Sequence, residues 1–472
     1  MKGSFLIAPR NLAGHVLAAA FAALVFALPL HAQAGAAGGA DDGSHAFDAE
    51  SFFSAAAPEG AAGDDAGNAA ESPSGALAFG QGGTEPGLFL SGSASADALY
   101  LIASPSDAKL RSGAYSGLTA FRLDAVGGDR HSAKVDASLV VRALYGAAAD
   151  TARQQAAGAL SLAGAEGAGA LSAFILGAEG PVLQAELKKL YLSVYTPLAD
   201  LSVGRMVLNY GRGTVFSPVD LFSSVDTADL ALGRGGNDAA RALVPFGNFS
   251  GLELASTIAG TPQAAIAGAR LYGYAGGVDF GLMAFRDGRG EGYGGSEADG
   301  RPRLVLGGDL KADLGAGLSA EFAARLPIDG STPSELALDG SEAVYSLMLG
   351  ADYSLGGAWF FDLEYLWNLR TGDALPAGTF LRGHSLFCSL SWKPDELTAL
   401  DARAMAAPAD GLWQLSAGLS RSIADGASLM LYALYKNGDV QGLSLQPDLP
   451  AGTLAQLRTE GLSLGARLSV AF

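Results

Sequence analysis

The sequence predicts an all-β fold in which residues 87–472 form a transmembrane, antiparallel, up-and-down β-barrel. Three observations support this prediction. From residue 87 onward, apolar residues recur at every second position, which is the period of a strand with one apolar face. Tight turns alternate with long connections, as in barrels that have one short-loop end and one long-loop end. All four tryptophans lie near predicted strand ends on the apolar face.

The last segment, 461–472, shows the two-residue period most clearly. Small or charged residues such as Arg467 occupy one face, and apolar residues occupy the other. A chain that ends on an aromatic residue after alternating apolar residues resembles the C-terminal signal of outer-membrane β-barrels. This resemblance implies recognition of the last strand by the barrel-assembly machinery. The apolar face comprises Leu462, Leu464, Ala466, Leu468, Val470 and Phe472.

The tryptophan positions agree with the thickness of a membrane. Trp359 and Trp367 bracket one predicted strand, eight residues apart. At about 3.3 Å per residue and a tilt near 40°, this separation corresponds to about 20 Å of height, close to an apolar band of about 25 Å. Counted backward from Phe472, the pattern predicts eighteen strands, with sixteen as the runner-up. Both numbers are even, as closure of a bacterial barrel requires.

The N-terminus has the features of a secretory signal peptide. Lys2 and Arg10 precede a mostly apolar run over 12–30 and then an Ala-Gln-Ala sequence. We therefore predict a cleaved signal over 1–34, with a membrane helix as the alternative. Residues 35–86 contain nine acidic residues and neither lysine nor arginine, in a background of Gly, Ala, Ser and Pro. Such a composition predicts a disordered acidic segment, because it cannot bury enough apolar area to offset its ordering entropy.

Composition and motifs argue against several other classes. A net charge of −18 is untypical of nucleic-acid-binding proteins. The single cysteine, Cys388, cannot form an internal disulfide, and no His/Cys cluster has metal-ligand spacing. The Gly-Arg-Gly motifs at 211–213 and 233–235 lack the remaining residues of a nucleotide-binding loop. His384 is followed two residues later by Leu386, where outer-membrane lipases place a serine. We predict no enzymatic activity, no cofactor and no metal.

The segment 186–222, ELKKLYLSVYTPLADLSVGRMVLNYGRGTVFSPVDLF, resembles a recurring element of porin-like outer-membrane barrels. In that element, two strands joined by a tight turn end in G-R-Q-x-x-x-W-G, and a loop with F-x-P-x-D follows. It is similar to alginate-export-like and uncharacterised porin families. Met206 and Tyr210 replace the Gln and Trp of the element. The resemblance implies a barrel strand that runs to residue 210 and a loop that begins at 211. The matching residues are Gly204, Arg205, Gly211, Phe216, Pro218 and Asp220.

Strand parity assigns charged residues to the inner wall of the predicted barrel. The opposite parity would place them in lipid, at about 2–4 kcal/mol for each Arg or Lys near the midplane. The mixed signs predict no strong ion preference. Residues 87–472 hold 28 basic and 39 acidic residues, and this net charge of −11 favours cations mildly. The inward candidates are Arg142, Arg270, Asp309, Lys311, Glu321, Arg325, Asp362, Glu364, Asp401, Arg403 and Arg467.

The segment 211–237 is the predicted inward-folded loop, because its apolar residues would have little use in a fully exposed loop. Arg205 shares a face with Leu201 and Val203, but the cost of an arginine in lipid predicts a position in the lumen. A loop carboxylate such as Asp220 is its expected partner. The constriction candidates are Arg205, Arg212, Asp220, Asp226, Asp229 and Arg234.

These features predict a porin-like channel in the outer membrane of a diderm bacterium, for passive or substrate-selective diffusion of small hydrophilic solutes. The alternative is a barrel without a transport function: an adhesin, a structural anchor or a component of surface-polymer export. The long connections 146–181 and 437–460 are compatible with that alternative. The expected partners are outer-membrane lipids and small solutes, with no nucleic acid, and a homo-oligomer is left open.

Overall fold

The chain is described by a computed structural model. The described residues are 77–79, 87–102, 114–129, 132–150, 153, 172–176, 180–222, 236–289, 301–329, 337–338, 343–370, 383–408, 412–437 and 461–472. The predicted signal peptide lies outside them, and so does the predicted acidic segment apart from 77–79. Most of the long connections between strands also fall outside these ranges.

Eighteen long strands form the wall. Their bounds are β1 Gly87–Ile102, β2 Ala114–Asp129, β3 Ala133–Gly146, β4 Val182–Tyr195, β5 Asp200–Met206, β6 Asn237–Pro245, β7 Gly251–Thr257, β8 Ile266–Ala275, β9 Val278–Asp287, β10 Arg303–Asp313, β11 Gly317–Asp329, β12 Val344–Leu355, β13 Trp359–Arg370, β14 Gly383–Asp395, β15 Thr398–Ala407, β16 Leu412–Ala424, β17 Ala427–Asn437 and β18 Gly461–Ala471. Three short strands, Leu77–Phe79, Ser172–Leu176 and Ala337–Leu338, a 3₁₀ turn at Pro262–Ala264 and a helical turn at 147–150 are also described.

Each long strand pairs antiparallel with the next one in the chain, and β18 pairs with β1. The register of this closing pair runs from Ser93 opposite Ala471 to Ile102 opposite Leu462. The wall therefore has no free edge along its length, which removes the unpaired backbone groups that an open sheet would expose. The predicted antiparallel up-and-down barrel of eighteen strands is confirmed.

Two short strands extend the wall beyond the long ones. Ser172–Leu176 pairs with the first half of β4, along the edge that β5 leaves unpaired, since β5 pairs only with Leu190–Tyr195. Leu77–Phe79 pairs with Leu88–Leu90 of β1, beyond the point where β18 ends. Three residues of the segment predicted to be disordered therefore form a strand, because β1 offers them an unpaired backbone edge.

Alternation places different side chains on the two faces of the wall. On β10, Leu306 and Leu310 are exposed on the outer face, whereas the residues that precede them, Val305 and Asp309, are buried on the inner face. Trp359 and Trp392 stack on the outer face, with ring centroids 5.1 Å apart. An apolar outer face with aromatic residues near the strand ends is the surface that lipid covers in membrane barrels. Among the described residues, no helix combines the length and the apolar character needed to cross a membrane.

Strand β5 ends four residues earlier than the sequence predicts. The expected strand runs to Tyr210, but the observed one stops at Met206. Gly204 has φ +126°, a conformation that disfavours other residues and disturbs the regular strand two residues before it ends. Leu208 and Tyr210 are then buried inside the barrel rather than placed along the wall. Their alternation with polar residues has the two-residue period of a strand, but their packing inside the barrel places them in a loop.

The seam between the first and last strands depends on a glycine. Gly92 and Phe472 exchange two backbone hydrogen bonds, each 2.9 Å long. A Cβ at position 92 would lie 2.5 Å from the carbonyl oxygen of Arg122 and 2.7 Å from Cζ of Phe472. The Phe472 ring stacks on Phe121, with centroids 5.9 Å apart, so it has little freedom to move away. The seam therefore requires a residue without a side chain at position 92.

We expect Gly92→Val to weaken closure by about 2 kcal/mol, the usual cost of overpacking a tight site. The measurement is the urea midpoint at which the folded, heat-modifiable band disappears from unboiled gel samples. Ala94→Val, two residues further along the same face, is the matched control and should leave that midpoint nearly unchanged. Equal midpoints for Gly92→Val and the unaltered protein would contradict the role of Gly92 in the seam.

Candidate functional site

The chain leaves the wall after Met206 and enters the interior of the barrel. Residues 207–222, called the inward loop below, contact side chains on the buried face of the wall, opposite the outward-facing leucines. The predicted loop begins at residue 211, so the observed one starts four residues earlier. Residues 223–235, which include Asp226, Asp229 and Arg234, lie outside the described residues.

Two apolar clusters attach the inward loop to the wall. The first cluster joins one part of the loop to strands β6 to β11, and the second joins Val215 and Phe216 to strands β12 to β15. Phe216 is fully buried. The loop residues of the first cluster are Leu208, Tyr210, Val219, Leu221 and Phe222; its wall residues are Met206 at the end of β5, Ala239, Ala255, Ile266, Met283, Phe285, Val305 and Ala323. The wall residues of the second are Met348, Leu366, Phe387, Met405 and Ala407.

Glu364 of β13 binds the backbone of the inward loop. Its carboxylate accepts hydrogen bonds from the backbone N–H groups of Thr214, Val215 and Phe216, the last two at 3.0 and 2.8 Å. The Thr214 side chain also hydrogen-bonds the neighbouring inward carboxylate, Asp362. Glu364 is buried, so the loop amides replace the water that the carboxylate would otherwise need.

Glu321 of β11 binds the adjacent part of the loop in the same way. It accepts backbone N–H bonds from Arg212, Gly213 and Val219, and the Ser217 hydroxyl donates to it at 2.9 Å. The bonds from Gly213 and Val219 measure 2.9 and 3.4 Å. Residues on both sides of the loop's bend therefore converge on one carboxylate, which fixes the shape of the bend as well as its position.

Carbonyl oxygens of the loop are bound as well. Arg325 of β11 donates to the carbonyl oxygen of Pro218, and Asn237 of β6 donates to that of Phe222. Asp220 accepts the backbone N–H of Phe222 at 3.1 Å, which stabilises a local turn. The loop's donors thus bond to wall carboxylates, while several acceptors bond to wall donors. A loop inside a barrel needs both, because buried backbone groups without partners are costly.

Asp309 of β10 binds two arginines. Its Oδ1 accepts from Nη2 of Arg270 at 2.8 Å, and its Oδ2 accepts from Nε of Arg212 at 3.1 Å. The Arg270 guanidinium also lies over two aromatic rings, with its carbon 5.4 Å from the Tyr210 centroid and 5.9 Å from that of Tyr272. The cluster connects the inward loop to β8 and β10 through charge-assisted hydrogen bonds.

Tyr210 connects the loop to another wall carboxylate. Its hydroxyl donates to Oε1 of Glu253 at 2.9 Å, and Nε of Arg241 lies 2.6 Å from the same oxygen. Burial, and secondarily the Glu253 carboxylate, raise the pKa of Tyr210 above its ordinary value, so the hydroxyl stays protonated and donates. The sequence analysis did not single out Glu253, although its position between Leu252 and Leu254 carries the same parity signal as the other inward carboxylates.

The opposite part of the wall carries ion pairs that do not involve the inward loop. Nε of Arg467 lies 2.7 Å from Oδ1 of Asp97, across the seam between β18 and β1. Nη1 of Arg142 lies 2.5 Å from Oε2 of Glu186, between β3 and β4. Further along, the ion pairs join Arg122 to Asp124 and Lys134 to Asp136. Like Glu253, Asp97 and Glu186 are inward carboxylates that the sequence analysis did not identify.

The remaining inward candidates are Asp401, Arg403 and Lys311 of the wall. Asp401 accepts a hydrogen bond from Ser391 at 2.8 Å. Arg403 lines a small recess together with Gln414 and Ser416. Lys311 is exposed on the inner face, opposite Asp279 in the register.

Arg205 is buried at the end of β5, with 7% of its surface exposed. The register pairs it with Leu190 and Asp238, and its Nη1 lies 3.3 Å from Oδ1 of Asp238. The ion pair with Asp238 compensates part of the desolvation of this buried arginine. The position in the lumen and the interaction with Asp220 stay predictions.

Other chemistry is sparse in the described part of the chain. Within it, no group of three or more His, Cys, Asp or Glu side chains is arranged to hold a metal ion. His384 lies on the outer face, where its Nδ1 is 2.5 Å from the Tyr365 hydroxyl and the two rings stack. Cys388 is a free cysteine.

A closed antiparallel wall of eighteen strands with a loop bound inside it is a β-barrel architecture of the porin type. No family model and no curated protein matches the chain. Similar solved structures include OmpF of Salmonella typhi in complex with daunomycin, at 10% identity and a TM-score of 0.41; the match covers 82% of this chain and 98% of that one. OccAB4 of Acinetobacter baumannii matches at 11% identity and a TM-score of 0.45, over 82% and 98% of the two chains.

A mutant of the Rh. blastica porin also matches, at 10% identity and a TM-score of 0.39, over 82% of this chain and all of that one. The architecture of this chain is defined by its own closed strand pairing.

Replacement of Glu364 by glutamine should release the part of the loop that it binds. A glutamine offers one oxygen, and its NH2 group would face amides that also donate. We expect hydrogen exchange at residues 214–216 to accelerate about tenfold to a hundredfold, because charge-assisted hydrogen bonds contribute about 1.5–3 kcal/mol each. Exchange measured by mass spectrometry on the detergent-solubilised barrel provides the test. Asp401→Asn, at an inward carboxylate bonded to Ser391, is the control. If it accelerated hydrogen exchange at residues 214–216 equally, the effect of Glu364→Gln would not come from its hydrogen bonds to the loop.

Proposed function

We propose that the protein is a porin-like channel in the outer membrane of a diderm bacterium, for passive or substrate-selective diffusion of small hydrophilic solutes. The observation that carries this proposal is the inward loop. A wall of this strand number encloses an aqueous lumen rather than a packed interior. A loop attached to one part of the inner wall narrows such a lumen at a defined height and brings chosen side chains toward the solute.

The polar inner wall supports the same proposal. Ion pairs such as Arg467 with Asp97 and Arg142 with Glu186 occupy inward positions and give this part of the inner wall a polar character. The apolar outer face is suited to lipid, and a predicted signal peptide agrees with export to that location. An adhesin or a structural anchor would need the wall, but it would have no need for a loop bound inside the lumen through buried carboxylates.

Reconstituted protein should admit solutes according to their size. In a liposome-swelling assay, we expect rates that fall steadily from small to large sugars, since diffusion through a narrowed aqueous pore discriminates by size. The control is liposomes prepared with heat-denatured protein. Swelling no faster than in this control, with correctly folded protein present, would favour the alternative of an adhesin, an anchor or a polymer-export component.

Deletion of residues 219–234 should widen the channel. It removes Val219, Leu221 and Phe222, which anchor the loop in its first apolar cluster. We expect larger single-channel conductance in planar bilayers, because the remaining loop cannot cover the wall. Deletion of 441–456, which has equal length and lies in another connection, is the control and should change conductance little. Unchanged conductance after the first deletion would contradict the assignment of the inward loop as the constriction.

A further inference from the structure

Asp309 pairs with two guanidinium groups, those of Arg212 and Arg270. Two further carboxylates are neighbours in the register: Glu321 lies opposite Asp309, and Glu253 lies opposite Arg270. Gly281 lies opposite Asp309 in the register, and a Cβ there would lie 2.3 Å from Oδ1 of Asp309 and 2.8 Å from Nη2 of Arg270. The wall therefore has space for this cluster only because residue 281 is a glycine. The cluster is a built feature of the inner wall.

The two sides of this cluster differ in exposure. The Asp309 side chain is 3% exposed, whereas that of Arg212 is 30% exposed. The carboxylate therefore lies behind the guanidinium, and a solute in the lumen meets the positive group first. Arg241 covers Glu253 in the same way, at 26% and 3% exposure. Glu321, the next carboxylate, is buried and accepts hydrogen bonds from the loop.

Arg212 has donors left for a ligand. Its Nε binds Asp309, and its backbone N–H binds Glu321. Among the described residues, its two terminal guanidinium nitrogens have no hydrogen-bond partner. A planar guanidinium presents these donors as a fork that matches a carboxylate or phosphate. Its position is set in advance, because Glu321 also binds the next residue, Gly213. Such preorganisation lowers the entropic cost of binding.

We propose that Arg212 is an oxyanion-binding residue of the narrowed lumen, so that the channel favours small solutes carrying a carboxylate, phosphate or sulfate group. This inference rests on the proposed channel function. It differs from the mild cation preference that the net charge of −11 for residues 87–472, 28 basic minus 39 acidic, favours. The local arrangement decides, since solutes within the lumen approach the exposed guanidinium much more closely than the remaining charges of the chain.

The test is block of single-channel current in planar bilayers by citrate and by pyrophosphate, added to one side of the membrane in potassium chloride. We expect both probes to interrupt the current. Arg212→Gln should raise the half-blocking concentration about tenfold, as expected for loss of a charge-assisted hydrogen bond. It should also move the reversal potential in a salt gradient toward cations. Arg212→Lys keeps the charge without the planar fork, so the reversal potential should stay while block weakens.

Arg122→Gln is the matched control. Arg122 lies at an inward position of β2 with its side chain 19% exposed, and it pairs with Asp124. Its replacement removes the same charge at another place, so the half-blocking concentration should stay within about twofold, the ordinary scatter for a site without direct contact. If both glutamine variants raised the half-blocking concentration equally, the proposal of a local site at Arg212 would be wrong and a general effect of charge would explain the block. Block unchanged in Arg212→Gln would overturn it as well.

The outcomes separate this inference from the channel proposal. If the unaltered protein conducts ions but neither probe blocks the current, the proposal of an oxyanion site is wrong, whereas the proposal of a channel is retained. If the folded protein gives neither conductance nor solute flux, the channel proposal itself fails. Correct folding of every variant is checked by its heat-modifiable band. The Arg212 side chain lies in a loop, so its replacement leaves all strand pairs in place.

Discussion

The interior of this barrel depends on the hydrogen bonds between buried wall carboxylates and the backbone of the inward loop. A buried carboxylate is costly unless donors replace its water, and a buried loop is costly unless acceptors receive its amides. Glu321 and Glu364 satisfy both requirements at once. Neither partner would be stable in this place without the other. The loop can therefore lie inside the barrel without the regular pairing that satisfies the strands.

The apolar clusters explain why the loop lies against one part of the wall. Inward positions on β10 to β15 include Val305, Met348, Leu366, Phe387 and Met405, where a water-filled lumen would favour polar residues. Across the seam, β18 and β1 instead present serines together with Arg467 and Asp97. The inner surface is thus divided into a part that binds the loop and a part that faces water. Carboxylates set the position of the loop, and apolar contacts give it most of its buried area.

Much of the wall could be predicted from the sequence, because its main signal is local. The two-residue period, the tight turns and the tryptophans are all visible within single strands, and they yielded the observed number of strands. The same parity predicted that Glu321 and Glu364 point inward. Their partners could not be predicted, because the bond from Arg212 to Glu321 joins residues 109 positions apart. Periodicity carries no information about contacts at that distance.

A further difference arises because the two-residue alternation of apolar residues continues beyond the end of β5. Leu208 and Tyr210 keep a strand-like pattern, yet they pack inside, since the inner surface of β6 to β11 offers them apolar contacts. The inward apolar residues Met348, Leu366 and Phe387 are a signal that was present in the sequence. They interrupt the polar parity of three successive strands, β12 to β14. A consistent interruption of this kind indicates a segment bound to the inner wall.

The charge that a solute meets in such a lumen does not follow from counting residues. A carboxylate that accepts loop amides or lies behind an arginine is shielded from the water-filled space, whereas the arginine in front of it is not. Asp309 and Arg212 each contribute one unit of charge to the total, but the exposed fractions of their side chains differ tenfold, at 3% and 30%. The cause is the inward loop itself, which brings Arg212 in front of a carboxylate that would otherwise face the lumen. The hydrogen bonds that hold the loop are therefore also what places the Arg212 guanidinium in front of Asp309.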